Sequence, residues 1–289
     1  MAPVPIDSPQ GIAALAVSAI RDEALLTPKP GLVDRSGQGS HDDMSLVMLL
    51  RSADSLYDTF VDLVRAGAQD PVGQRLRNRV GMFGRAGEMK MLAATGGINT
   101  HRGALWTVGL LATAVGAASA ADAVPSETRI LEIAGELASI PDSAARPSPS
   151  SHGQSAVRTY GVSGAVGEAA DGFPHICNVA LPVLRSSLSH GETTERARLR
   201  SLLALVATVD DTCILHRGGS AGLRWMQASA RRVQHARHFD TALSRFATLA
   251  ERRRLSPGGS ADLLSGSIFL ESLSLNTTVA LQEHAHADA

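Results

Sequence analysis

Six junctions in the sequence combine glycine with acidic or basic side chains, and they hold most of the residues that could do chemistry. They are TPKPGLVDRSGQGSHDDMS, GRAGEMK, GGINTHRGA, YGVSGAVGEAADGFPH, VDDTCILHRGG and SPGGSADLL. Glycine lets a backbone approach a ligand closely, and a helix N-terminus favours a bound anion. Carboxylates suit Mg²⁺, which is usually bound by one or two carboxylates together with phosphate oxygens of a substrate. Together these features predict one pocket, lined by helix ends, for a magnesium-bound phosphate.

The longest junction carries both signs of charge on a loop rich in proline, glycine and serine. Its ionisable residues are Lys29, Asp34, Arg35, His41, Asp42 and Asp43. Such a loop, ending at a helix N-terminus, is suited to an anion and its metal. The alternative is a solvated loop in which Asp42 or Asp43 only caps the next helix, because carboxylates are common in first turns.

The GGINTHRGA junction holds more hydrogen-bonding groups than a turn requires. The two glycines can end one helix, and Asn99 or Thr100 can cap the next one. His101 and Arg102 then remain in the first turn, where a positive charge opposes the helix dipole. Cations in that position favour a site at which an anion binds.

The other junctions each allow a structural and a functional interpretation. Glu88 lies in a helix beside Met91, so it is either at the rim of the core or held by a partner, since burying an unpaired carboxylate is costly. Asp210 and Asp211 interrupt an apolar run, which is unusual for surface acids. The remaining junctions place Glu168 and Asp171 ahead of an apolar helix, and Ser260 and Asp262 at a helix start.

Composition favours a helical protein. It also indicates that any anion is bound by a local cluster of charges and not by the overall charge of the protein. Hydrophobic residues make up 44% of the 289-residue chain and aromatic residues 3%, so Leu, Ala, Val and Met do most of the packing, a mix that favours helix. The net charge of -1 gives no general attraction to nucleic acid or anionic lipid. Cys177 and Cys213 form no metal or redox pattern. Without a signal peptide or a sufficiently long apolar stretch, we expect a cytoplasmic protein with no nucleic-acid or membrane partner.

Helical periodicity and its breaks predict a single all-α domain over residues 1–289, bundle-like, with an active site at helix ends and glycine-rich loops. Ser8 and Pro9 predict the first helix start, and Pro28 and Pro30 end that helix. Further helices are predicted at about 41–65, 74–94, from 101 onward, 126–140, 162–170, 174–189, 195–209, 220–250 and 259–272. The Pro/Ser-rich stretch 141–159 is predicted to be a flexible surface loop or a hinge.

The junction strings, taken in order, resemble the triphosphoribosyl-dephospho-CoA synthase family over roughly residues 20–270. The strings MLLRSADSL and NTHRGALW are more similar to its malonate decarboxylase branch than to its citrate lyase branch. Two positions depart from the expected pattern. Val166 stands where the GAxGEA segment should have arginine, and Cys213 stands where DDTxxL should have asparagine. Neither departure affects the acids.

The resemblance implies a transferase acting on ATP and 3'-dephospho-CoA. The 2'-hydroxyl of dephospho-CoA attacks C1' of the ATP ribose, and adenine leaves with the triphosphate still attached to the ribose. The product would be the prosthetic-group precursor that a downstream transferase loads onto an acyl carrier protein. Mg²⁺ is expected to accompany ATP, and we leave a homodimer open.

This chemistry suggests roles for the junction residues. Displacement at an anomeric carbon passes through an oxocarbenium-like state and needs a base for the incoming hydroxyl. Glu88 and Asp211 are the candidates for base or oxocarbenium stabiliser, in either order, and His101 for a hydrogen bond to the leaving adenine, a role also open to Asn99 or His41. The expected metal ligands are Asp34 and Asp43. The expected substrate-binding residues are Lys29, Arg35, His41, Asn99, Thr100, Arg102, Glu168 and Arg217.

Two other functions are compatible with the same residues. A magnesium-dependent N-ribosyl hydrolase would use similar acids but let water attack the ribose. A non-catalytic nucleotide-binding helical module would need cations more than carboxylates, so the density of acids argues against it.

Overall fold

The computed structural model describes residues 8–120, 125–144 and 152–287, with side chains described for residues 8–120, 125–144 and 153–276. The described part contains thirteen α-helices and a π-helical segment, Ile176–Ala180, that continues into a helix. The α-helices are α1 (Pro9–Leu25), α2 (Leu46–Ser55), α3 (Tyr57–Gln69), α4 (Gln74–Thr95), α5 (Arg102–Ser119), α6 (Glu127–Ser139), α7 (His152–Tyr160), α8 (Gly164–Ala170), α9 (Leu181–Ser189), α10 (Thr194–Thr208), α11 (Thr212–Gln234), α12 (Phe239–Arg252) and α13 (Gly258–Ala287). The all-α prediction is confirmed: these residues contain one isolated β-bridge and no strand.

Local signals set several helix ends where the sequence predicts them. The Ser8 hydroxyl accepts the Gly11 N–H, which caps α1, and α1 ends at Leu25 before the proline-rich loop. Gly96 ends α4 in the left-handed conformation, with φ of 68°, a region that favours glycine.

The helix predicted over 41–65 is wrong in its start and in its continuity. Residues 41–44 stay in the loop, and α2 begins at Leu46 because the Ser45 hydroxyl accepts the Met48 N–H. Neither Asp42 nor Asp43 caps it. The helix then breaks at Leu56, whose N–H donates to the Ala53 carbonyl three residues back, a tightened turn that separates α2 from α3.

Two further predictions need correction. In place of one helix over 220–250, α11 starts earlier, under an Asp211 cap, and kinks at Gly219, and a break after Gln234 separates it from α12. Part of the loop predicted over 141–159 is helical, because α7 occupies residues 152–160. Residues 145–151 lie outside the described part of the chain.

The centre of the fold is a close crossing of α3 and α5. A β-carbon built on Gly116 would lie 2.1 Å from the Val64 carbonyl oxygen, and one built on Gly67 would lie 2.1 Å from the Thr113 carbonyl oxygen. The two backbones therefore touch at glycines from both helices, and the buried side chains of Phe60, Leu63, Leu110 and Leu111 belong to the surrounding core. Among the described residues, no helix combines the length and the apolarity that a bilayer crossing requires.

Gly116→Ala is expected to destabilise the protein by about 1–3 kcal/mol, because overpacking at this crossing forces α3 and α5 apart. Gly84→Ala in α4 is the matched control, since a β-carbon there meets no atom within 4 Å. That change should be neutral or stabilise by up to about 1 kcal/mol through helix propensity. Urea unfolding of both variants measures the difference, and equal stabilities would contradict the crossing.

Candidate active site

Asp211 lies between two helix N-termini and is 1% exposed. Its Oδ1 accepts the N–H groups of Cys213, at 2.9 Å, and Ile214, at 3.4 Å, in the first turn of α11. Its Oδ2 accepts the N–H and the hydroxyl of Ser260 in the first turn of α13, at 2.8 Å and 2.9 Å. Burial raises the pKa of Asp211, and these donors oppose the shift. The carboxylate thus ties α11 to α13, a structural use that accounts for both of its oxygens.

Asp262, one turn into α13, lies over the start of a third helix. Its carboxylate accepts the N–H of Ala104 in the first turn of α5. A β-carbon on Gly103 would lie 1.9 Å from Asp262 Oδ2, so glycine is what allows this approach. Burial, followed by the negative charges of Asp211 and Glu23, raises the pKa of Asp262 well above its usual value. Two carboxyl groups and three helix N-termini therefore converge in one region.

A buried ion pair lies beside this region. Lys29 Nζ donates to Glu23 Oε1 at 2.8 Å and to the Glu23 carbonyl at 2.9 Å, and the two side chains are 1% and 7% exposed. The Lys29 N–H donates to Asp34 Oδ2 at 2.8 Å, and the Ser36 N–H donates to Asp34 Oδ1 at 2.6 Å. Asp34 is therefore buried and organises the loop, while the Lys29 ammonium is engaged by Glu23. The substrate-binding role of Lys29 stays a prediction.

His101, the residue immediately before α5, is buried and neutral. Its Nδ1 lies 2.9 Å from the Ser52 hydroxyl, which in turn lies 2.6 Å from the Thr100 hydroxyl. Burial, with a smaller contribution from the Lys29 charge, lowers the pKa of His101 to about 3. At neutral pH this imidazole can accept or donate a hydrogen bond, but it does not carry the extra proton that a general acid needs.

Glu88 and Arg102 form an ion pair across the α4–α5 junction. Their side chains are 29% and 46% exposed, so both groups are accessible to a ligand. The N-cap residue of α5 is His101, whose side chain makes no capping hydrogen bond, so the prediction that Asn99 or Thr100 caps this helix is wrong. The Asn99 side-chain oxygen, two residues earlier, nevertheless accepts the Arg102 N–H at 3.2 Å. Glu88 is therefore held by a partner, one of the two situations that the sequence allows.

His41 and Arg217 meet near Ser256, two residues before α13 begins. Arg217 donates to the Ser40 carbonyl at 3.0 Å and lies 3.2 Å from His41 Nδ1, while His41 Nε2 lies 2.9 Å from the Ser256 hydroxyl. Burial and the Arg217 charge lower the pKa of His41. Asp43, 59% exposed, lies 4.0 Å from the His41 ring.

Glu168 forms a dyad with His175 beside Asp210. The His175 N–H and Nδ1 lie 2.8 Å and 2.7 Å from the two carboxylate oxygens. The hydrogen bond to Glu168 is the main cause of the raised pKa of His175, and Asp210 contributes. Arg35 lies apart from these groups, on the exposed surface, where it pairs with Glu195 at 3.3 Å.

The predicted residues are thus only partly brought together. Glu88, Asn99, Thr100, His101 and Arg102 share the α4–α5 junction. Asp211 and Asp262 connect the start of α5 to α11 and α13. Asp34 and Asp43 share no bonding partner in the described part of the chain, and no three acidic, histidine or cysteine side chains there form a metal-binding group. A cavity of about 850 Å³ lies elsewhere, between α6 and α8, and its carboxylates (Glu127, Glu132, Glu136 and Asp171) do not suit a phosphate ligand.

Three residues of the region are absent from the sequence-based site. They are Glu23, Ser52 and Asp262. Asp262 has a sequence signal, since it stands in SPGGSADLL, but a helix start explains that string equally well. Glu23 lies on α1, and Ser52 lies on α2 within the string MLLRSADSL. Only the folded arrangement shows that these two side chains contact Lys29 and His101.

The chain is similar to a family of transferases along nearly its whole length. A family model described as ATP:dephospho-CoA triphosphoribosyl transferase matches residues 9–279. A probable 2-(5''-triphosphoribosyl)-3'-dephosphocoenzyme-A synthase of Pseudomonas syringae pv. syringae is 45% identical over 94% of each chain. The synthase of Klebsiella pneumoniae is 42% identical over 90% of this chain and 93% of its own. No solved structure matches the chain.

Proposed function

The chain belongs to the ATP:dephospho-CoA triphosphoribosyl transferase family, and we propose that it transfers the 5-triphosphoribosyl group of ATP to the 2'-hydroxyl of 3'-dephospho-CoA. The observation that carries the proposal is the match of residues 9–279 to that family. The bond from C1' of ribose to adenine breaks, a bond from C1' to the 2'-oxygen forms, and the hydroxyl proton goes to a base.

Glu88 is the best-placed base among the predicted carboxylates. Asp211 is enclosed and already accepts four hydrogen bonds, whereas Glu88 is partly exposed and is oriented by Arg102. We assign Glu88 to proton removal from the 2'-hydroxyl. Asp211 then acts through its neighbours, as the residue that fixes the starts of α11 and α13.

The nucleotide would be held by the start of α5 and by Arg217. A helix N-terminus favours an anion, and Arg102 adds a positive charge there. Arg217 is exposed, and its guanidinium is held beside His41. His101, being neutral, suits a hydrogen bond to a ring nitrogen of adenine. Arg35, Asn99, Thr100 and Glu168 remain proposed substrate-binding residues.

The donor set fits a Mg²⁺ ion that arrives with ATP better than it fits a resident metal. Mg²⁺ is commonly bound through one or two carboxylates plus substrate phosphates, and Asp34 and Asp43 are separate carboxylates outside any three-residue group. Each Asp34 oxygen accepts one backbone N–H and so keeps further acceptor capacity. When bound, the ion would neutralise part of the negative charge of the triphosphate.

The product is proposed to serve malonate decarboxylase through a downstream transferase that loads an acyl carrier protein. The support is the similarity of MLLRSADSL and NTHRGALW to that branch. Citrate lyase is the alternative destination.

The proposed reaction predicts that adenine appears in step with ATP loss, without ADP or AMP. Chromatography of a reaction with ATP, Mg²⁺ and dephospho-CoA measures this, and omission of dephospho-CoA is the control. Adenine released equally well without dephospho-CoA would instead indicate an N-ribosyl hydrolase. Dephospho-CoA binding with no adenine release under any condition would indicate a non-catalytic module.

A further inference from the structure

We propose that Asp262 is the acid that protonates the departing adenine, and that Gly103 is required so that its carboxyl group can reach the start of α5. This inference rests on the proposed function and assigns a group to a step that the predicted residues leave open. Adenine is a poor leaving group as an anion, and donation of a proton to a ring nitrogen lets it leave neutral.

The position of Asp262 follows from two contacts. Its carboxylate accepts the Ala104 N–H, and its Oδ2 occupies the space that a Gly103 side chain would need. Asp262 thereby contacts residues two and three positions after His101, which is proposed to contact adenine. Asp262 as a whole residue is of intermediate exposure, whereas Asp211 is buried.

Asp211 fixes this arrangement from the other side. By accepting the N–H and hydroxyl of Ser260, it holds the first turn of α13 against α11. Ser260 precedes Asp262 by only two residues, so the same contact determines where the Asp262 side chain leaves the helix. Asp211 is therefore a positioning residue.

The surroundings of Asp262 raise its pKa and so shift its equilibrium toward the protonated form. Burial and the nearby charges of Asp211 and Glu23 raise the pKa of Asp262, and the single hydrogen bond from Ala104 only partly opposes them. Lys29, the ion-pair partner of Glu23, offsets part of the Glu23 charge. The other candidate acid, His101, has its pKa lowered to about 3. Of the two groups, only Asp262 has its pKa shifted in the direction that favours the protonated form.

The two proton transfers balance without a further reactant. Glu88 takes the proton of the 2'-hydroxyl as the C1'–oxygen bond forms. Asp262 gives its proton to adenine as the C1'–nitrogen bond breaks. Exchange with water returns the proton from Glu88 to solvent and restores the Asp262 carboxylic acid.

Asp262→Asn tests the proposal, because the amide still accepts the Ala104 N–H but cannot donate a proton as an acid. With ATP, kcat should fall about 10²–10⁴-fold. With a ribose 5-triphosphate that carries 4-nitrophenolate at C1', which leaves without protonation, the loss should be less than about tenfold. Asp240→Asn, at an exposed residue paired with Arg196, is the control and should match the wild type on both substrates.

Gly103→Ala provides a second test that leaves the acid in place. The added methyl group would displace the Asp262 carboxyl, so activity with ATP should fall and activity with the nitrophenyl substrate should survive. Gly84→Ala is its control. Equal losses on both substrates in both variants, or near-normal turnover of ATP, would overturn the role of Asp262. A wild type that releases no adenine would overturn the proposed function itself, which separates the two failures.

Discussion

Lys29→Met is expected to lose about 3–5 kcal/mol of unfolding free energy, because it leaves the Glu23 carboxylate buried without its counter-ion. The Lys29 and Glu23 side chains are 1% and 7% exposed, so water cannot replace the lost partner. Methionine fills a similar volume, which limits the effect to charge and hydrogen bonding. Guanidinium unfolding at neutral pH measures the loss.

Two comparisons separate this effect from a general cost of removing an ion pair. Arg21→Met removes a pair from the same helix α1, but Arg21 and Asp54 are 36% and 57% exposed, so it should cost only about 0–1 kcal/mol. The double variant Glu23→Gln, Lys29→Met removes both charges and should recover much of the stability. A Lys29→Met loss no larger than that of Arg21→Met would contradict the buried pair.

Several helix ends were predictable from local signals in the sequence, although the local Ser45 cap of α2 was missed. Ser8 and Pro9 start α1, and Gly96 ends α4, because a hydroxyl cap, a proline ring and a left-handed residue act within one turn. The break at Leu56 and the separation of α11 from α12 carry no such signal. Their residues are compatible with a continuous helix, and only packing decides that the chain turns there.

The site shows the same difference between features set by neighbouring residues and contacts between residues far apart in the sequence. The sequence alone indicates that a helix starts near Asn99 and Thr100, but it does not identify His101 as the N-cap residue. It does not show that Asp262 reaches Gly103, a contact between residues 159 positions apart. Nor does it show that Asp211 accepts hydrogen bonds from two helices. Such contacts depend on the relative placement of α5, α11 and α13, which no short string encodes.

Glu88→Gln is expected to reduce kcat about 10²–10⁴-fold, because the amide cannot accept the proton of the incoming hydroxyl. Stability should change little, since the Glu88 side chain is 29% exposed and its contact with Arg102 can persist as a neutral hydrogen bond. ATP affinity, measured by calorimetry without dephospho-CoA, should remain near that of the wild type. Glu132→Gln, at an exposed residue paired with Arg129, is the matched control and should retain full activity.

A substitution at Glu88 can separate an effect on turnover from an effect on stability, whereas a substitution at Asp211 cannot. An amide at residue 211 would place N–H groups against the Ser260 donors that the carboxylate now satisfies, so activity and stability would fall together. At Glu88 the two quantities can separate, and only a loss of turnover with the fold and ATP binding intact supports a base. Near-normal turnover of Glu88→Gln would move proton removal away from the α4–α5 junction. A joint loss of turnover and ATP affinity would make Glu88 a residue that holds Arg102 for the nucleotide.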